Sequence, residues 1–219
     1  ATIATIGVIA TLMTAVGPVL QGAHVVRNRK DIDLLCGVSA TSYTLILAAS
    51  CMWIPHALSL RAWSVVALSA IDIPLALAVL TVLHHRGLLR DSVKASLPLN
   101  ALCYLMIPMS VIYTIMVALG WSTTTSPYGV LCAVFSGGMF IPQALVMIRA
   151  RGTRQTEGFS TFAASSMMVC NILWILYGIG MNDVGLILSP TIIFLSVASI
   201  LVSKIIPVST TTTTRAALA

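Results

Sequence analysis

Apolar residues fill this chain in runs of about twenty positions, each closed by a short cluster of charged or turn-forming residues. The runs cover approximately 2–25, 37–57, 62–84, 96–120, 127–149, 159–181 and 184–206. A helix rising about 1.5 Å per residue needs about 20 apolar residues to cross a hydrocarbon core about 30 Å thick. The pattern therefore predicts an all-α, polytopic membrane protein with seven transmembrane helices. Beyond Pro207 the run of threonines from Thr210 to Thr214 is too polar to span and too simple to pack, so 207–219 is expected to be a disordered Thr-rich tail.

Composition narrows the class. Of 219 residues 58% are hydrophobic and 8% charged, where a soluble domain carries about 25% charged residues. A soluble globular protein is excluded. The net charge of +6 would suggest nucleic acid in a soluble protein, but the placement of the basic residues suggests a membrane instead. Arg27, Arg29 and Lys30 follow the first run, Arg86, Arg90 and Lys94 the third, Arg149, Arg151 and Arg154 the fifth, and Lys204 and Arg215 the seventh. With seven crossings all of these lie on one side and only Arg61 on the other, which puts the N-terminus outside and the C-terminus in the cytoplasm. The stretch from Ala1 to Gly17 has no basic residue and reads as a first span, not a cleaved signal peptide.

No catalytic signature emerges. Cys36, Cys51, Cys103, Cys132 and Cys170 are isolated, without metal-site spacing, and read as small buried residues. No nucleophile–base pair, phosphate loop or metal cluster is recognisable, so neither an enzyme, a cofactor nor a nucleic-acid partner is expected.

The chain repeats itself. Gln21 pairs with Gln143 at an offset of 122, and Gly37, Ser39 and Trp53 pair with Gly158, Ser160 and Trp174 at 121. Each repeat holds three helices, so a second copy in the same orientation requires one extra crossing between them. The expected layout is 3+1+3: a first repeat at 1–84, a linker with an inverting helix at 85–126 and a second repeat at 127–206.

Pro142-Gln143, Gly158-Phe159-Ser160, Trp174-Ile175-Leu176-Tyr177-Gly178 and Asn182-Asp183 together resemble the PQ-loop family, specifically the SWEET and SemiSWEET sugar carriers. SWEET carriers are themselves the standing example of parallel repeats related by an axis along the membrane normal. The resemblance implies a sugar site near the bilayer midplane, lined by Trp53 and Trp174. By helical rise Trp174 lies roughly 24 Å from the inner end of its span and Pro190 roughly 10 Å from the outer end of the next, a common level in the core. The family's asparagine in the third helix of each repeat is replaced by Ser189-Pro190-Thr191 in one and by the region Ser69-Ala70-Ile71-Asp72 in the other.

Asp72 is the acidic residue deep within a span, where insertion costs about 2.5–3.5 kcal/mol, and is read as functional by default. It could bind a proton or a cationic substrate group. Asn171 lies one turn from Trp174 on the same face, as Ser50 does from Trp53. The candidate substrate-binding set is Trp53, Trp174, Asp72, Asn171, Ser50, Ser69, Ser189 and Pro190. Pro18 with Gln21 and Pro142 with Gln143 are candidate hinges, since proline removes a helical hydrogen bond. Tyr177 is a candidate outer gate.

These readings favour a transporter of a small polar solute, most simply a sugar, working by alternating access in a bacterial cell membrane. A proton-coupled carrier of amino acids or other metabolites using Asp72 is the alternative within the class. A non-transporting receptor or accessory subunit is the alternative outside it. The partners expected are a small-molecule substrate and the lipid bilayer, with a homo-oligomer or larger membrane complex left open.

Overall fold

The computed structural model describes residues 2–59, 62–89, 97–121, 126–182 and 184–205, and these contain helices, turns and no strand. The helices are α1 (Thr2–Arg27), α2 (Ile32–Cys36), α3 (Ala40–Ser59), α4 (Trp63–His85), α5 (Leu97–Ala118), α6 (Ser126–Gly138), α7 (Ile141–Arg149), α8 (Thr161–Met181) and α9 (Val184–Ile205), with a 3₁₀ turn at Arg154–Gly158. The threonine-rich tail, Arg61, Arg90, Lys94 and Asp183 lie outside the described residues.

Among the described residues six segments are long and apolar enough to cross a membrane: Thr5–Arg27, Val65–His85, Pro98–Ala118, Pro127–Arg149, Thr161–Gly180 and Val184–Ile205. The chain is an integral, multi-pass membrane protein. α3, of comparable length, is not among the six because it carries Ser42, Thr44, Ser50 and His56, all buried. It packs against α4, α5 and α6, and helix-to-helix surfaces in membranes accept small polar residues that a lipid-facing surface does not.

The fifth apolar run is not one helix. α6 ends at Gly138 and α7 begins at Ile141, leaving Met139 and Phe140 between them. Pro142 falls in the first turn of α7, where its missing N–H has no helical acceptor to serve. Pro18 instead sits inside the uninterrupted α1. α8 starts at Ser160, whose hydroxyl accepts from the Ala163 N–H at 3.3 Å. It ends at Asn182, which adopts a left-handed conformation with φ 54° and donates its N–H to the Ile179 carbonyl.

α1 packs on α4 and α8, α3 on α4 and α5, and α9 on α6, α7 and α8. One core joins Val25, Leu35, Val38, Val79 and Leu83, and Leu88 and Leu89 beyond α4 pack against it. A second joins Phe140, Met147, Phe159, Val197 and Ile200. Lys204, at the end of α9, donates to the Phe159 carbonyl. The C-terminal ends of α1, α4 and α9 and the connection after α7 thus share one end of the bundle. α5 runs alongside α3: Leu99 and Cys103 near its start meet Leu45 and Ala48, and Tyr113 near its end meets Tyr128 of α6 at a tilt of 55° with ring centroids 5.1 Å apart. Leu12, Leu105, Ile112, Ile115, Leu195 and Val202 are exposed, a surface suited to lipid.

Of the five cysteines four are buried as expected, whereas Cys36 is exposed. It closes the five-residue α2 on the surface and not within a span.

Candidate functional site

A cavity of about 120 Å³ lies among α1, α3, α4, α6, α8 and α9. Trp53, Trp174, Asp72, Asn171, Ser50, Ser69, Ser189 and Pro190 all line it. The eight sequence candidates come from four helices, and the packing of α3 on α4 and of α8 on α9 gathers them around one space.

Each tryptophan is held from the turn above. Trp53 meets His56 edge-on with ring centroids 5.5 Å apart, and Trp174 meets Tyr177 edge-on at 5.6 Å. Edge-to-face contact is a favoured aromatic geometry. Behind these pairs glycine gives room: an added methyl would come within 2.7 Å of Tyr177 at Gly7, and within 2.8 Å of His56 at Gly129. Tyr177 therefore packs between α8 and α1, beside Trp174.

The polar groups of the C-terminal half of the cavity are engaged. Trp174 donates its indole N–H to Thr14 Oγ1 at 2.7 Å, and that hydroxyl donates to the Ala10 carbonyl at 2.7 Å. Asn171 spends its amide N–H on the Met167 carbonyl at 2.7 Å. Ser189 and Ser136 share a hydrogen bond of 2.6 Å. Asp72 differs, since its buried Oδ1 has no hydrogen-bond partner among the described residues.

Gln21 and Gln143 do not line this cavity. They sit toward the end of the bundle shared by α2 and the 3₁₀ turn, each 1% exposed. Gln143 accepts from the Ser39 N–H at 2.7 Å and donates to the Gly37 carbonyl at 2.7 Å. Gln21 accepts from the Ser160 N–H at 2.7 Å and donates to the Gly158 carbonyl at 2.9 Å. Gly37 and Gly158 are packed so closely that an added methyl would overlap the backbone carbonyl oxygen of Gln155 and of Leu34, respectively. Around them His24 Nε2 lies 2.9 Å from the Glu157 carbonyl, and Arg154 pairs with Asp31 at 2.7 Å. That exposed ion pair contributes little, about 0–1 kcal/mol.

Thr14 and Ser136, which also line the cavity, were not among the sequence candidates. The offset of 122 that relates Gln21 to Gln143 also relates Thr14 to Ser136 and Gly7 to Gly129. That alignment was the signal that could have found them.

Residues 126–206 match the model of the family described as sugar efflux transporter for intercellular exchange. The match runs from α6 through α9, the part of the chain that carries the SWEET-like residues, and the family is one of transporters, not enzymes. No match was found among curated proteins or among solved structures.

Proposed function

We propose that this protein is a seven-span carrier that moves a small sugar across a bacterial cell membrane by alternating access, with the described cavity as its substrate site. In this reading residues 1–84 and 127–206 are two parallel three-helix repeats and 85–126 carries the inverting helix, with α3 as the seventh span. The observation that carries it is the exchange of equivalent contacts. Gln21 binds the loop that contains Gly158 and Ser160, and Gln143 binds the loop that contains Gly37 and Ser39. The paired tryptophan contacts follow the same relation.

Such an exchange is what a two-fold axis along the membrane normal produces, and a substrate site then falls between the repeats. The basic connections support an N-terminus outside, since α1, α4, α7 and α9 end at the same side. The two glutamine clasps then close the inner end. They comprise four hydrogen bonds of about 0.5–1.5 kcal/mol net each, strong enough to hold a closed state and weak enough to release on the microsecond-to-millisecond scale of such motions. Pro18 and Pro142 sit close to the clasps as hinges, and Tyr177 gates the outer side.

The cavity volume restricts the solute. Pockets for drug-sized ligands occupy roughly 300–1,000 Å³, so a space of about 120 Å³ leaves room for no more than a single sugar ring and argues against a disaccharide. The two indoles offer flat faces for the apolar face of a pyranose. Quenching of tryptophan fluorescence by monosaccharides tests this site: saturable quenching is expected in the native protein and its loss in Trp174→Ala and Trp53→Ala. Unsaturable or absent quenching across hexoses and pentoses contradicts it.

A further inference from the structure

We infer that the cavity binds a solute carrying a protonated amine, with Asp72 as its counter-charge; within the sugar-carrier reading, on which this rests, the substrate is an aminated monosaccharide. Asp72 is the sole ionisable acid or base among the described residues that line the cavity. Among the described residues no lysine, arginine or histidine lines the space, so its wall disfavours an anion. A lone carboxylate between apolar surfaces calls for a partner that brings both positive charge and hydrogen-bond donors.

Among the described residues no such partner meets Asp72 Oδ1. The two ion pairs among the described residues use Arg154 with Asp31 and Glu157, while Asp72 Oδ1 is buried and unpartnered. Three of the donors around the space are already engaged: the Trp174 indole with Thr14, one Asn171 amide N–H with the Met167 carbonyl, and the Ser189 hydroxyl with Ser136. A bound proton alone would cancel the charge but leave a carbonyl oxygen unpaired and add an O–H in need of an acceptor. An ammonium group supplies three donors together with the charge.

The rest of the wall favours an organic cation over a metal ion. No group of three His, Cys, Asp or Glu suited to a metal occurs among the described residues. Trp53 and Trp174 line the same cavity, and aromatic faces attract ammonium groups. The carboxylate is also one-sided. At the repeat offset of 121 Asp72 corresponds to Ile193, which lines the cavity from α9. A solute with its amine toward α4 and a ring between the indoles matches that asymmetry.

Competition in counterflow, with the full chain in liposomes and labelled glucose as the probe, tests the inference. The competitors are glucosamine, N-acetylglucosamine and glucose, at a pH that keeps the amine charged. Glucosamine is expected to compete about tenfold better than glucose, as one charge-assisted hydrogen bond supplies, and N-acetylglucosamine no better than glucose. Asp72→Asn is expected to bring the glucosamine-to-glucose ratio near one and Asp72→Glu to restore it, both remaining monodisperse. Equal competition by glucose and glucosamine, a preference that survives Asp72→Asn, or a hexose flux that needs a proton gradient without amine preference overturns the inference while leaving the sugar-carrier reading intact. Silence for every sugar removes that reading and this inference with it.

Discussion

Gln21 of α1 and Gln143 of α7 make the same two hydrogen bonds with exchanged partners, Gln21 to Gly158 and Ser160 and Gln143 to Gly37 and Ser39. Replacing either with leucine leaves a buried backbone N–H and carbonyl unpaired, at about 1–3 kcal/mol for each group. Gln21→Leu and Gln143→Leu should each lower the melting temperature and cut flux about tenfold or more. The double variant should lose less than the sum, because both clasps secure one closed end. Native flux in both single variants would count against the clasp as part of the transport cycle.

Gly37 and Gly158 meet backbone, which cannot move aside as a side chain can. Gly37→Ala and Gly158→Ala should abolish flux by keeping the inner ends apart. Gly138, with nothing near its added methyl, provides the control. Gly138→Ala is expected to keep flux within about twofold, since helical glycine-to-alanine changes are mildly favourable. Equal effects at all three positions would contradict the proposed contact.

Thr14 fixes the Trp174 ring through its hydroxyl. Thr14→Val keeps the volume but strands the indole N–H, a loss of about 1–3 kcal/mol, whereas Thr14→Ser keeps the acceptor. Monosaccharide affinity measured by fluorescence quenching should fall in the valine variant and survive in the serine variant. Indistinguishable affinities would mean that the bond does not orient the ring.

Cys36 is the exposed cysteine, and the other four are buried. A membrane-impermeant maleimide should label it in permeabilised cells and not in intact ones, since the proposed orientation puts the α1–α3 connection in the cytoplasm. Burial first and the Asp33 carboxylate second push its thiol up from the ordinary range. A raised thiol pKa makes the reactive thiolate scarce at neutral pH, so labelling should accelerate as pH rises. Labelling of intact cells reverses the orientation.

Much of the candidate site was legible because its residues recur. Trp53 and Trp174 stand out as paired aromatics within apolar runs, and helical spacing sets Ser50 and Asn171 on the same faces. Asp72 stands out by its cost in a span. Thr14 and Ser136 escaped notice because small hydroxyl residues are ordinary in such runs. α2 and the 3₁₀ turn were missed for a different reason: five residues carry too little periodicity. They form where Asp31 caps α2 by accepting from the Leu34 N–H at 3.2 Å and where the two loops meet across the bundle. The break at Met139-Phe140 gave no polar signal, since both residues are apolar.

Counterflow into liposomes containing the purified protein tests the central claim most directly. Preloading with unlabelled hexose should drive transient, saturable accumulation of labelled hexose, which is lost in Trp53→Ala and Trp174→Ala and needs no ion gradient. Absence of exchange for hexoses, pentoses, hexosamines and disaccharides, in vesicles where a control carrier is active, would contradict a sugar carrier on this scaffold.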